Sequence, residues 1–258
     1  MIDIKVLKSI DQSRPQDWQD WLPENAVFNR YEVLHAMETS GCTSPETGWQ
    51  PQHLQLSSGD ETLGLLPLYQ KNHSYGEYMF DWQWANGFHR AGIAYYPKAV
   101  AAIPFTPVTG PRLISKDNIE LQSEIISHVS DLNISNFQCL YVTKEEADAW
   151  QATGAQIRRG YQFSWYNHDY TTFDDFLGDL RSKVRKNIRR ERRQMAESNL
   201  KFQTYRGEQI TPDLWRFFLL CYQRTYLKRS GHEGYLNKGF YDAILSSLND
   251  NLLLIVAE

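Results

Sequence analysis

The order in which hydrophobic periodicity changes along the chain limits its fold more than any single motif does. "IDIKVL" alternates in the manner of a strand, and "SRPQDWQDWL" follows as a helix with Ser13 placed to cap it and Pro15 in its first turn. A second helix, "RYEVLHAMETSG", sets Tyr31, Leu34 and Met37 on one side and stops at Gly41. "HLQLSSGDETLGLLPLY" predicts two strands around a Ser-Gly-Asp turn, with Pro67 marking a bulge or an edge. Then come a helix in "DWQWANGFHRAG", a strand in "KAVAAIPF" and an amphipathic helix spaced by Ile119, Leu121, Ile125, Ile126 and Val129. A buried strand in "FQCLYVT", a helix in "KEEADAWQATG" and a closing strand pair in "QIRRGYQFSWYN" complete the succession. Mixed alternation of this kind predicts an α/β (α+β) fold with a mixed central sheet over residues 1–166.

Beyond 166 the order restarts. A long helix over 172–198 leads into the alternating "LKFQTY", two helices and the strand "NLLLIVAE", and "ITPDLW" at 210–215 echoes "SRPQDW" at 13–18. The expectation is a duplicated fold whose second copy, 167–258, lacks its C-terminal half.

The helix over 172–198 carries the chain's sharpest charge feature. "RSKVRKNIRRERR", residues 181–193, holds eight basic side chains and one acid in a protein of net charge -4. Phe173, Phe176, Leu177, Leu180, Val184, Ile188 and Met195 trace one stripe, so a continuous helix burying Leu177, Leu180, Val184 and Ile188 is expected. Thr172 is placed to cap it. An isolated charge run reads first as a solvated face. Uncompensated repulsion among these residues also makes them a place for an anion, and Arg185, Arg189 and Arg193 are the candidate phosphate ligands.

The overall acidic balance argues against wholesale nucleic-acid or membrane binding. Cys42, Cys139 and Cys221 are too scattered for a metal pair and read as reduced thiols, which predicts a cytoplasmic protein. No apolar run reaches the length of a membrane span. His35, His89 and His232 have no partners at ligand spacing, so no metal is expected. Phosphate-loop, dinucleotide-glycine and nucleophile-elbow patterns are missing from the sequence.

Longer motifs carry a family resemblance. "LRSKVRKNIRRERRQMAESNLKFQ" resembles the Fem-type aminoacyltransferases, enzymes with two GNAT-type domains that add amino acids to peptidoglycan precursors. "GWQPQHL", "PLYQKNHSYGEYMFDWQWANGFHRAGIAYYPK" and "PFTPVTGPRL" resemble more closely the N-acyltransferases labelled peptidoglycan biosynthesis or recognition proteins. The element order over 1–166 is similar to the GNAT acyltransferase fold apart from the helix near 82–91. The resemblance implies tandem GNAT-like domains and N-acyl transfer from an acyl-CoA (acetyl-CoA in the simplest case) or an aminoacyl-tRNA. The acceptor would be an amine of a cell-wall precursor or a similar small substrate.

Such a transfer needs a base for the attacking amine and a donor for the carbonyl oxygen. "KNHSYGEYMFDW", 71–82, crowds polar groups around Gly76: Glu77 and His73 are candidate bases and Tyr75 a candidate hydroxyl donor. Ser74, Asp81, Trp82, Tyr95, Tyr96 and Lys98 are candidate substrate ligands, although a polar loop satisfying its own backbone and packed tyrosines would look the same. In GNAT enzymes the coenzyme pyrophosphate sits at a loop placed as 103–113 is here, which makes Thr109, Gly110 and Arg112 the candidate cofactor ligands. Pro104, Pro107 and Pro111 remove donors from that loop and leave its pattern incomplete. Two other readings stand beside catalysis: a recognition module binding a peptidoglycan-like or phosphorylated ligand, and RNA binding through the basic helix.

Overall fold

The computed structural model describes residues 2–116 and 120–258. The elements, in chain order, are β1 (Asp3–Leu7), α1 (Pro15–Gln19), α2 (Tyr31–Thr39), β2 (Trp49–Pro51), β3 (His53–Ser58), β4 (Glu61–Leu66) and β5 (Leu68–Lys71). They continue with α3 (Trp82–Arg90), β6 (Lys98–Ala101), β7 (Ile114–Ser115), α4 (Gln122–Ser130), β8 (Phe137–Cys139) and α5 (Lys144–Ala152). The remainder comprises α6 (Phe173–Asp179), α7 (Ser182–Glu197), β9 (Phe202–Arg206), α8 (Pro212–Ser230), α9 (Lys238–Ser247) and β10 (Leu253–Ala257). The architecture is mixed α/β, as the alternation of periods implies.

Two compact units emerge, one formed by 1–158 with 213–248 and the other by 159–212 with 249–258. The grouping is not linear in sequence. α8 and α9, which the sequence pattern assigns to the second repeat, group with the first unit, where α9 lies against α2.

Within the first unit, Pro67 sets the layout. Lacking a backbone N–H, it cannot continue the ladder of β4. The strand therefore ends at Leu66, and the chain resumes as β5 in a different sheet. One sheet has the order β1-β3-β4-β7 and is antiparallel throughout. The other has the order β2-β5-β6-β8, antiparallel until its last pair, β6 and β8, which run parallel. α4 lies on the crossover between those parallel strands, as parallel pairing requires.

Alternation on β6 sorts its side chains to two faces. Ala99 and Ala101 join Leu54, Leu66, Leu121, Ile125 and Trp150 in the main core. Val100 and Ala102 join Trp49, Tyr69 and Leu140 on the opposite face. That second face holds the charged layer described below.

Several sequence expectations give way. Residues 155–167 form no strand pair; they are irregular, and Tyr161 and Phe163 are fully exposed. β8 is half-buried along its length. Ser13 does not cap α1: Arg14 holds the cap position, while the Ser13 hydroxyl donates to the Ile10 carbonyl and accepts the Trp18 indole N–H. Ile119, expected on α4, lies outside the described residues. The helix expected over 172–198 is two helices, because α6 stops at Asp179 and Leu180 is extended at ψ 149. Gly178 and Asp179, both weak helix formers, weaken the chain at the break. Thr172 does cap α6, in a reciprocal arrangement with Asp175. Of the four apolar residues expected inside, only Leu177 is buried; Leu180 and Ile188 are half-buried and Val184 is exposed. A stripe this sparse on α7 has too little apolar area to bury the helix in so small a unit.

Candidate functional site

Strand register builds the site. Trp49 on β2 pairs with Lys71 on β5, and Lys71 pairs with Lys98 on β6. Gln138 on β8 stands beside Val100, whose side chain shares a face with that of Lys98. Four neighbouring strands thus contribute to one layer, with two lysines directly opposite each other and both fully buried. Like charges in that position repel, and burial adds a desolvation cost.

The loop between β5 and α3 supplies the compensation. Lys98 Nζ lies 2.7 Å from Glu77 Oε2, 2.6 Å from Asp81 Oδ2 and 3.0 Å from Ser74 Oγ. The Tyr95 hydroxyl donates to the same Asp81 oxygen over 2.6 Å and accepts the Gln138 amide at 2.8 Å. Ser74 Oγ also meets the Tyr96 hydroxyl at 2.8 Å. Burial alone would raise the Asp81 carboxyl, but the donors Lys98 and Tyr95 outweigh it and hold the group at about 2. Asp81 immediately precedes α3, yet its carboxylate does not cap that helix.

Lys71 is less well served. Its Nζ donates to the Tyr75 carbonyl at 3.1 Å, stands 3.6 Å from the centre of a Trp49 ring and is 4.0 Å from Glu77 Oε1. Burial pulls its titration down to about 7, with Lys98 pushing the same way and Glu77 opposing. Burial likewise raises Glu77 against the pull of Lys98, and Glu77 Oε1 is buried with no hydrogen-bond partner. A carboxylate whose proton affinity is raised and an amine whose proton affinity is lowered therefore face each other across 4.0 Å.

The backbone around this layer is strained. Tyr78, Phe80, Phe105 and Tyr141 all adopt positive φ without being glycine. Gly76, at φ +80, is needed for a second reason: a Cβ there would lie 2.6 Å from the Phe105 ring. The Phe105 N–H donates to the Gly76 carbonyl, and the Tyr141 hydroxyl to that of Glu77.

An aromatic cleft of about 150 Å³ adjoins the layer, lined by Trp49, His73, Tyr75, Phe105, Tyr235 and Cys42 among others. Trp49 and Tyr75 belong to both: the Tyr75 carbonyl accepts from Lys71 and from the Trp49 indole, while its ring is exposed at the cleft. Tyr235, from the loop between α8 and α9, stacks on Phe105 at 5.0 Å.

Of the residues proposed from sequence, Glu77, Ser74, Asp81, Tyr95, Tyr96 and Lys98 meet in the charged layer. His73 and Tyr75 line the cleft, and Trp82 packs edge-on against Tyr75. Both His73 ring nitrogens are engaged: Nδ1 accepts from the Tyr75 N–H, which leaves Nε2 to donate to the Thr47 carbonyl. Burial lowers its titration further. Lys71, Trp49 and Gln138 are members of the site that sequence reasoning does not single out.

The 103–113 loop is bonded largely within itself and to Glu146. Arg112 is fully buried, with Nη1 on the Gly110 and Pro111 carbonyls and Nη2 on that of Val108. The Gly110 N–H donates to Tyr141, and Glu146 takes the N–H groups of Arg112 and Leu113. Thr109 is exposed. The guanidinium braces the carbonyls of its own loop.

On the basic helix, Arg185 donates to the Gly178 carbonyl at the end of α6, and Arg189 pairs with Asp174 at 2.9 Å. Arg193 makes no ion pair among the described residues. No cluster of three potential metal ligands occurs among them either.

The FemAB-like family model, described as peptidoglycan biosynthesis/recognition, matches residues 9–258. The chain belongs to this family. Among curated proteins and solved structures, nothing matches it. No helix among the described residues of this FemAB-like chain is long and apolar enough to cross a membrane.

Proposed function

We propose that this FemAB-like protein transfers an acyl or aminoacyl group to an amine of a peptidoglycan precursor or a related small acceptor. The observation that carries the reading is the buried Glu77–Lys71 pair, 4.0 Å apart beside an aromatic cleft, with burial lowering the amine to about 7 and raising the carboxyl. In the reaction the acceptor nitrogen bonds to the donor carbonyl carbon, and the ester bond of an aminoacyl-tRNA or the thioester bond of an acyl-CoA breaks. The amine proton passes to the Glu77–Lys71 pair and from there to the leaving oxygen or sulfur. Tyr75 links the cleft to the pair, and its exposed hydroxyl is the donor available to the developing oxyanion. Lys98, itself held by Asp81, fixes the position of Glu77.

The first unit's strand order, antiparallel up to one parallel pair joined through a helix, supports a GNAT-type domain. The internal bonding of the 103–113 loop favours aminoacyl-tRNA over acyl-CoA as donor. A cytoplasmic setting fits either donor.

A second reading has one observation in its favour. Glu77, Asp81 and Lys98 are all but inaccessible, as a purely structural network would be. The cleft would then bind a peptidoglycan-like ligand without reaction. Transfer assays with labelled aminoacyl-tRNA or acyl-CoA and peptidoglycan precursors separate the two. Glu77→Gln should lower turnover by about two orders of magnitude while acceptor binding persists. Acceptor binding without turnover in the wild type would establish the recognition reading.

A further inference from the structure

We propose that the second unit holds a nucleotide-binding site in which an aromatic pocket stacks the base and the arginines of α7 take the phosphates. The pocket, about 480 Å³, is lined chiefly by Trp165, Asn167, Tyr170, Phe173 and Phe176. Its rings form a connected set, with Tyr170 and Phe173 each 5.6 Å from Phe176 and Trp165 6.2 Å from it. Such surfaces stack on the faces of planar rings with little regard to base identity.

One wall of the pocket is tied down by hydrogen bonds. The Tyr170 hydroxyl donates to Asp179 over 2.6 Å, and its backbone N–H donates to Asn167 Oδ1. Asp175 accepts from Thr171 and Thr172, holding the intervening turn against α6. Trp165 nonetheless remains 63% exposed, and Phe173 44%. These rings face solvent beside a wall tied by hydrogen bonds, and no folding role requires their exposure.

Charge identifies the class of ligand. The Arg192 guanidinium lies 4.3 Å from the centre of the Phe173 ring, and Arg189 reaches Asp174 beside it. α7 thus runs alongside the pocket wall. Arg193 lies one turn beyond Arg189, exposed and without an ion pair among the described residues. Eight basic residues with a single acid among them in 181–193 leave this helix with a surplus that Asp174 only partly offsets. A flat ring joined to a phosphate matches both features; a saccharide or an apolar peptide would leave the arginines unused. A recognition module would hold the same nucleotide, so the site is independent of acyl transfer.

The test titrates the whole chain with ADP, inorganic pyrophosphate and an eight-residue oligoadenylate by calorimetry. ADP should bind about tenfold or more tightly than pyrophosphate, the excess being the contribution of base stacking. Trp165→Ala should bring ADP down to the level of pyrophosphate, and Arg193→Gln should weaken both. Both positions are exposed, and circular dichroism verifies that each variant folds. Oligoadenylate binding far more tightly than ADP, with steep loss in salt, makes single-stranded RNA the source of the nucleotide; equal affinities make it a free nucleotide or nucleotide-linked molecule. ADP binding no better than pyrophosphate, or Trp165→Ala without effect, would overturn the proposal.

Discussion

Lys71 and Lys98 face each other across the β5/β6 ladder, both fully buried, yet their partners differ sharply. Lys98 Nζ has two carboxylates within 2.7 Å. Lys71 Nζ has one carboxylate at 4.0 Å and otherwise a carbonyl and an indole face. Removing them should therefore have unequal consequences. Lys98→Met leaves Asp81 and Glu77 buried without their cation and should cost about 3–5 kcal/mol in urea unfolding. Lys71→Met removes a desolvation and repulsion cost and at neutral pH should be neutral or stabilising. Equal losses from the two would contradict this asymmetry.

The same asymmetry sets the pH dependence above neutrality. Lys71 titrates at about 7 in the fold and near 10.4 when unfolded, so between those values the unfolded chain binds more protons. Its contribution to stability accordingly rises with pH across that window, by at most about 1.4 kcal/mol for each step of one in pH. Urea midpoints from pH 7.5 to 9.5 should climb in the wild type and lose that climb in Lys71→Met.

Asp81 acts at the acid end with the same sign, since its proton affinity is also lowered in the fold. Held at about 2, below its unfolded value, it contributes stability that is fully present above pH 4 and is lost as pH falls toward 2. The loss should approach about 2 kcal/mol, given about 1.4 kcal/mol for each tenfold change in proton affinity. Asp81→Asn should flatten the acid limb of the stability curve between those pH values.

Gly76 tests the strained loop. Alanine at this position needs φ +80 and sets its Cβ 2.6 Å from the Phe105 ring. Gly76→Ala should cost about 2 kcal/mol or more, as a conformational penalty with a steric clash added. Gly87→Ala, a position with open space around it in α3, should be neutral or mildly stabilising.

What is legible in the sequence depends on the range of the interaction. Element order and the polar 71–82 segment can be read because periodicity and composition are local signals. Lys71 escapes notice although a cue exists: in "LYQK" it has the parity of buried Tyr69, as Lys98 has that of Val100. Recognising the pair needs the register of β5 against β6, which no local pattern encodes. Arg112 is hard to read for the opposite reason, since sequence cannot show that its guanidinium folds back onto Val108, Gly110 and Pro111. The long basic helix is easily overread, because an apolar stripe does not guarantee burial and the second unit offers little core to receive it.

The most direct measurement is the titration of the Lys71 side chain by NMR, following its Cε and Nζ shifts in the wild type and in Glu77→Gln. The expected midpoint is about 7 in the wild type. It should fall lower in Glu77→Gln, because the carboxylate that favours the protonated amine is gone. A wild-type midpoint near 10.4, or one indifferent to Glu77, would contradict a shared proton at this site.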